Sequence, residues 1–359
     1  MNVSFEPTVF YMVDDGPYGI VATDLTGSGI IDLAIVCNQN DNVAILLGNG
    51  DGTFRDGGTF PVGANPTAVT AADFNRDGKM DLAVTDSNSS DVAVLFGNGD
   101  GTFQPAIALA VSSNPINIVS ADFRNIGNMD LAITDVSNNI IGVLLGNGDG
   151  TFNNMVTYPI SAPADGIIAT DFNGDHKIDL AVACGDNQIN ILLGNGDGTF
   201  MNAVPYPAGS GLCYITANDF NGDGKIDLAA TNYVSDEVAI LLGNGDGTFQ
   251  SPTFFSAGVG PFGIVSEDFN GDGKMDLAVT NVDNNKVAIL LGNGDGTFQE
   301  EQFFPVNNYP IKIDSGDFNG DGKMDLAVID FFDDDVGILL NKTPKPVRGI
   351  SFFNTGSIS

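Results

Sequence analysis

The run Asp317-Phe-Asn-Gly-Asp-Gly-Lys-Met-Asp325 places oxygen-bearing side chains at positions 1, 3, 5 and 9 of nine residues. With a main-chain carbonyl from position 7, they can surround one hard cation that takes six to eight oxygens at about 2.3 to 2.6 Å, as Ca²⁺ does. Mg²⁺ suits the run less well, because it demands a tight octahedron and keeps several waters. Gly at position 6 fits the same geometry, since wrapping a short loop around an ion needs a positive φ that glycine takes without steric cost.

Copies of this run begin at Asp24, Asp73, Asp122, Asp171, Asp219, Asp268 and Asp317, at intervals of 49, 49, 49, 48, 49 and 49 residues. Five copies carry every ligand. They are Asp73/Asn75/Asp77/Asp81, Asp171/Asn173/Asp175/Asp179, Asp219/Asn221/Asp223/Asp227, Asp268/Asn270/Asp272/Asp276 and Asp317/Asn319/Asp321/Asp325, with position-7 carbonyls from Lys79, Lys177, Lys225, Lys274 and Lys323. About five Ca²⁺ ions are expected. In the first copy Thr26 and Ser28 leave Asp24 and Asp32 as the only carboxylates, which predicts a weak site. In the third, Arg124 and Ile126 stand at positions 3 and 5, and Arg124 brings a cationic head to the place of the ion. His176, the one histidine, takes the position of the loop glycine in the fourth copy and reads as a turn residue.

A steady period across 359 residues predicts one repetitive domain spanning 1–359. The net charge of −33, with 13 basic residues, argues against nucleic acid, whose phosphates need Lys and Arg. Acidic loops without cations are expected to be strained or mobile, because like charges about 4 Å apart cost roughly 1 kcal/mol in water and about 4 at an effective dielectric near 20. Cys37, Cys184 and Cys213 cannot build a full disulfide framework. Cys184 and Cys213 end strands in neighbouring repeats, which leaves a disulfide or free thiols open, with free thiols favoured. No apolar run is long enough for a membrane span. Met1 to Ile20 lacks a signal-peptide pattern, so either a signal was removed or the chain is not secreted.

Residues 261–309 show the unit. Pro261 to Asp268 reads as a strand entering the loop, Asp276 to Thr280 as an apolar strand leaving it, and Val287 to Leu291 as a third strand after a polar turn. Gly292-Asn-Gly-Asp-Gly296 is a hairpin turn, and a fourth strand is expected from Thr297 to about Val306. Strands apolar on both faces need cover on each side, which identical sheets packed face to face supply. The prediction is an all-β, seven-bladed β-propeller with four antiparallel strands per blade, the blades starting near 17, 66, 115, 164, 212, 261 and 310. One outer strand is in excess, since Phe5 to Val13 and Phe352 to Gly356 both align with it. Pro344, Pro346 and Gly349 disfavour the second. The expectation is therefore that residues 1–13 close the ring against 336–341 and that 342–359 form a tail.

The repeated Asp-Phe-Asn-Gly-Asp-Gly-Lys-Ile/Met-Asp-Leu-Ala-Val and Leu-Leu-Gly-Asn-Gly-Asp-Gly-Thr-Phe segments, over residues 5 to about 341, resemble the FG-GAP/VCBS repeat family. Its best-known members are the integrin α-subunit propellers, and the chain is also similar to secreted bacterial and fungal propellers, some of them lectins. The resemblance implies Ca²⁺ in the loop between the first two strands of a blade, all loops on one face, and an extracellular, secreted or cell-surface setting. It does not fix a ligand.

The repeats differ most in the turns Asn38–Asn42, Asp86–Asp91, Asp135–Ile140, Cys184–Gln188, Asn232–Glu237, Asn281–Lys286 and Asp330–Asp335, on the face opposite the loops. Tyr18, Tyr214, Tyr233, Phe262, Tyr309, Phe331 and Phe332 are expected to dot that face as exposed aromatics. The Phe repeats at 54, 103, 152, 200, 249 and 298 read as packing between blades. Two function classes follow. The favoured one is a non-enzymatic, monomeric, calcium-binding adhesion module for a protein or glycan. The other is the propeller of a polysaccharide- or phospholipid-acting lyase or hydrolase, against which stand a single histidine and the lack of Gly-x-Ser-x-Gly or His-Glu-x-x-His motifs.

Overall fold

The computed structural model describes residues 2–344, and every regular element in them is a β-strand. In the first blade β2 (Pro17–Thr23), β3 (Asp32–Cys37), β4 (Asn42–Gly48) and β5 (Phe54–Pro61) pair antiparallel in that order. Five more four-stranded sheets repeat the order, opening with β6 (Pro66–Ala72), β10 (Pro115–Ala121), β14 (Ala164–Thr170), β18 (Leu212–Asn218) and β22 (Pro261–Glu267). The seventh is made of β26 (Pro310–Gly316), β27 (Asp325–Asp330), β28 (Asp335–Leu339) and β1 (Val9–Met12). Each opening strand touches its counterparts on both sides, and β26 touches β2. The molecule is a closed seven-bladed propeller.

The second strands explain the stacking. β3, β27 and their equivalents are buried at every position, so both faces of each blade are covered by the neighbouring blades. Between blades the repeated Phe residues pack edge-on to the Phe at loop position 2 of the blade before. Phe54 meets Phe318 at 5.5 Å between ring centroids, Phe249 meets Phe172 at 5.7 Å and Phe298 meets Phe220 at 5.7 Å. Such pairs contribute roughly 0.5–1.5 kcal/mol each beyond their burial. They seal each loop against the next blade.

The outer strand is shorter than its sequence pattern predicts. In the sixth blade it runs Gln302–Pro305 rather than from Thr297: Phe298 makes an isolated bridge to Gly292 and residues 299–301 are outside any strand, whereas in the first blade the equivalent stretch stays paired from Phe54 to Pro61. In the seventh blade that place is filled from the other end of the chain. Val9 faces Ile338 and Met12 faces Asp335, while Phe5 bridges Asn341 and buries its ring against Phe304 at 4.9 Å. The rival segment 352–356 and residues 345–359 of the expected tail lie outside the described residues, whereas the start of that tail is tied to the N-terminal segment: Lys342 donates its N–H to the Ser4 carbonyl at 2.9 Å, and the buried Thr343 hydroxyl accepts the Ser4 N–H at 2.9 Å. Cys37, Cys184 and Cys213 are buried free thiols.

Candidate functional site

Each acidic loop joins the first strand of a blade to the second, and its side chains are held by the loop's own amides. In the second repeat Asp73 accepts the N–H of Asp77 at 3.1 Å and of Gly78 at 2.8 Å, Asn75 accepts the N–H of Asp77 at 2.9 Å, and Asp77 accepts the N–H of Lys79 at 3.0 Å. In the fourth, Asp171 accepts the N–H of His176 at 2.7 Å, Asn173 that of Asp175 at 2.9 Å, and Asp175 that of Lys177 at 3.0 Å. In the fifth, Asp219 accepts from Gly224 at 2.8 Å, Asn221 from Asp223 at 2.8 Å, and Asp223 from Lys225 at 3.0 Å. In the sixth, Asp268 accepts from Gly273 at 2.8 Å, Asn270 from Asp272 at 2.8 Å, and Asp272 from Lys274 at 3.0 Å. In the seventh, Asp317 accepts from Gly322 at 2.8 Å, Asn319 from Asp321 at 3.0 Å, and Asp321 from Lys323 at 3.0 Å.

The structure thus brings the expected ligands into the same five loops, where each also accepts an amide of its own turn. Asn75, Asn173, Asn221, Asn270 and Asn319 at position 3, and Asp77, Asp175, Asp223, Asp272 and Asp321 at position 5, each turn an oxygen onto an amide two residues on. The physical reason is that a short Asx side chain finds the nearest donor in its own turn. Among the described residues no three acidic, His or Cys side chains are gathered tightly enough to form a cage by themselves. The lysines expected to lend a carbonyl also use their ammonium groups. Lys177 reaches Asp175 at 3.1 Å, Lys225 reaches Asp223 at 3.3 Å and Lys323 reaches Asp321 at 3.0 Å, whereas Lys274 donates to the Asn293 carbonyl at 2.6 Å. Such exposed pairs are weak, about 0–1 kcal/mol, so they are easily exchanged for a stronger cation.

Positive φ is needed at position 6, where His176 sits at 64°, and also at position 4, where Arg76 sits at 62°. The second requirement is a finding of the structure. The residue types at position 4 carry the signal, since glycine stands there in five copies and asparagine in a sixth.

Position 9 does more than its ligand spacing indicates. Asp81 is fully buried, and its two oxygens accept the N–H of Phe74 and of Gly97, both at 2.9 Å. It thus pins the loop to the hairpin turn that follows the third strand. Asp179, Asp227 and Asp276 do the same, and Asp325 pins its loop to Asn341, where the seventh blade has no hairpin. Burial pushes the carboxyls of Asp81, Asp179, Asp227 and Asp325 up to about 6 and that of Asp276 to about 7, and the position-1 and position-5 carboxylates push the same way. Three carboxylates, an amide oxygen and a main-chain carbonyl fit a hard cation, and a cation would remove the repulsion those shifts record.

The two degenerate loops keep the aspartates of positions 1 and 9 but not those between them. In the first, Asp32 accepts the N–H of Leu25 and of Gly48, Thr26 donates to Asp24 and Ser28, and Asp24 alone repels Asp32. In the third, the Arg124 guanidinium reaches both oxygens of the fully buried Asp130, at 3.3 and 2.6 Å, and also donates to the Gly146 carbonyl. A side-chain cation neutralises that carboxylate from within.

The opposite face carries the variable turns, and its aromatics are less exposed than their sequence positions led one to expect. Tyr214 is buried, Tyr18, Tyr233, Phe262, Tyr309 and Phe331 are half-buried, and Phe332 alone stands out at 65% exposed. The reason is that they stack on one another around the central axis, Tyr309 on Phe332 at 4.7 Å and Tyr214 on Phe262 at 5.1 Å. Within that cluster the Lys312 ammonium lies 3.5 Å from the centre of the Tyr214 ring. Burial lowers its pKa to about 7, partly offset by Asp165.

The chain matches the family model for the FG-GAP-like repeat six times in overlapping windows, at 24–84, 73–133, 122–182, 171–230, 219–279 and 268–328. The chain belongs to the FG-GAP-like repeat family. No curated protein resembles it significantly in sequence. Solved structures share the architecture of these FG-GAP-like repeats. A structure on recognition of non-reducing terminal N-acetylglucosamine by an Agrocybe aegerita lectin is 20% identical, covering 88% of this chain and 86% of that one, with a TM-score of 0.60. Virginiamycin B lyase from Staphylococcus aureus is 19% identical over 94% and 99% (TM-score 0.61), and the periplasmic gluconolactonase of Pseudomonas aeruginosa 14% over 82% and 86% (TM-score 0.65). At such identities they show the fold alone. Among the described residues of this FG-GAP-like chain no helix is long and apolar enough to cross a membrane.

Proposed function

We propose that this FG-GAP-like propeller is a calcium-stabilised binding module, not an enzyme, that offers the face opposite its acidic loops to a protein or glycan. The observation that carries the reading is the contrast between the two faces. The loop face repeats the same amide-held acidic loop five times, whereas the turns across the disc differ from blade to blade and surround an aromatic cluster. Scaffold that is repeated and surface that is varied is the division expected of a recognition protein. Loops of this charge serve best where calcium is abundant, which favours an extracellular or cell-surface setting for a monomeric ring. The lectin neighbour adds a glycan as a ligand class to try first.

A glycan array probed with and without calcium tests this. Specific spots that vanish on chelation, and on Phe332→Ala, support the reading. Binding that survives loss of the turn-face aromatics would overturn the assignment of the face. A second reading has its own observation, since Lys312, held near neutrality and facing Asp165, could serve as an acid–base pair inside the ring. Turnover of a polysaccharide, lactone or phospholipid that disappears in Lys312→Met would make the protein an enzyme.

A further inference from the structure

Between the first and second blades the outer strands β5 and β9 (Ile107–Ala110) enclose a pocket of about 560 Å³. That volume is in the range of small-molecule sites, roughly 300–1,000 Å³. Its walls include Phe60 and Phe103, edge to face at 5.2 Å, and its floor includes Ala93, Ala106 and Ala108. The small residues open it. In the third blade Met155 stands where Ala106 does, three residues after the Phe that bridges the hairpin, and it lies against Gly142, the counterpart of Ala93. A Cβ placed on Gly142 would collide with the Met155 sulfur. The third blade thus fills with a side chain the space that the second leaves open.

The polar end of the pocket is a carboxylate with an unusual neighbour. Asp91 lines the pocket and opens β8 (Asp91–Leu95), directly across from Asp86 at the end of β7 (Asp81–Asp86). Asp86 is fully buried, and one of its oxygens accepts the N–H of Gly63 at 2.9 Å. Oδ1 of Asp86 and Oδ1 of Asp91 are both buried and have no hydrogen-bond partner among the described residues. Burial, followed by Asp91 and Asp41, pushes the Asp86 carboxyl well above the ordinary carboxylate range. The two carboxyl groups face each other across the ladder, and burial together with the charge of Asp91 favours the protonated form of Asp86. No residue lining the pocket is basic. An apolar, aromatic-walled space ending in a carboxylate with one buried, unpartnered oxygen asks for a ligand that brings the opposite charge on an apolar body.

We propose that this pocket binds a small organic ammonium ion, its aromatic or alkyl body against Phe60 and Phe103 and its charged nitrogen on the Asp91 carboxylate. A neutral isostere would leave the carboxylate unpaired, and an anion would be repelled by it and by a chain of net charge −33. The site lies apart from the acidic loops and the aromatic cluster and meets the variable face only at the Asp86–Asp91 turn, so it stands whether or not the binding role above is correct.

Calorimetric titration of the full chain with benzylammonium, benzyl alcohol and benzoate tests the proposal. Benzylammonium is expected to bind at one saturable site, benzyl alcohol at least about tenfold more weakly, and benzoate not at all. Asp91→Asn should weaken benzylammonium by about tenfold or more. Ala106→Met, which puts a long side chain into the pocket and keeps the strand, should abolish binding. Equal affinity for the alcohol and the ammonium ion would overturn the charge recognition, and unchanged binding in Ala106→Met would overturn the pocket, leaving attraction to a general acidic surface as the cause.

Discussion

At the scale of single residues, the loops divide between groups that would hold an ion and one that also holds the fold. Asp223 is exposed and its amide-facing oxygen serves only the turn to Lys225, whereas Asp227 is buried and satisfies two amides, those of Phe220 and Gly243. Asp223→Ala is therefore expected to remove one calcium ion and little calcium-free stability. Asp227→Ala should remove the ion and also cost about 1–3 kcal/mol for each stranded donor. Asp24→Ala, in the depleted first loop, should leave the ion count unchanged. Metal analysis and chelated melting of the three variants decide this, and equal ion losses in Asp223→Ala and Asp24→Ala would show that Thr26 and Ser28 serve as ligands. Spacing along the chain made the candidate ligands legible. It could not show that Asn173, Asn221, Asn270 and Asn319 double as turn acceptors for the residue at position 5, because spacing alone does not say which way an oxygen faces. Nor could it reveal the second role of position 9, whose partners lie 7 and 16 residues away. The persistence of Asp32 and Asp130 in the two loops that lost their position-3 and position-5 ligands was the available clue. Arg124 on both oxygens of Asp130 was hidden too, though the swap of Asn for Arg at position 3 pointed there.

At the scale of elements, strands one to three of each blade followed from apolar runs and turn residues, while the outer strand's start was misjudged because its exposed, weakly alternating residues do not mark where pairing begins, at Phe54 in the first blade and at Gln302 in the sixth. The inward stacking of Tyr214, Phe262 and Tyr309 was likewise hidden, since aromatics beside turns look exposed until the ring brings seven blades to one axis. The hairpin of β27 and β28 carries a pH dependence of its own. Burial pushes the Asp330 carboxyl up to about 8, and Asp335 across the ladder and Asp333 add to it, against the Asn307 amide that stabilises its charge. An unfolded Asp titrates near 3.9. Between about pH 4 and 8 the folded chain thus binds a proton that the unfolded chain has released, so stability falls as pH rises through that window. Asp330→Asn, which donates to Asp335 at any pH, should match the parent near pH 4 and melt higher than it above pH 8. Parallel pH profiles for the two proteins would refute this. The ring seam is the other element with a clear consequence. Without residues 2–13, β28 becomes an open edge and the buried Val3 and Phe5 are lost from the core. Removal of that segment is expected to lower the melting temperature by about 4 °C or more, or about 3 kcal/mol and upward, and to promote association. A truncated protein that melts like the parent would mean the ring holds without its seam.

At the scale of the whole molecule, seven near-identical sheets close a ring that needs no cap, and charge is the price of its loop face. Forty-six acidic residues against 13 basic ones leave a molecule that gains from every cation it binds. If calcium stands at ten times its dissociation constant, each site adds about 1.4 kcal/mol, so five give roughly 7, comparable with the total stability of an ordinary domain. The most direct test is one experiment, a melting curve of the chelated and calcium-saturated protein together with a count of bound ions. The account predicts about five Ca²⁺ per chain and a melting temperature raised by 10 °C or more on saturation. A chain that retains no calcium and melts at the same temperature in both conditions would contradict it.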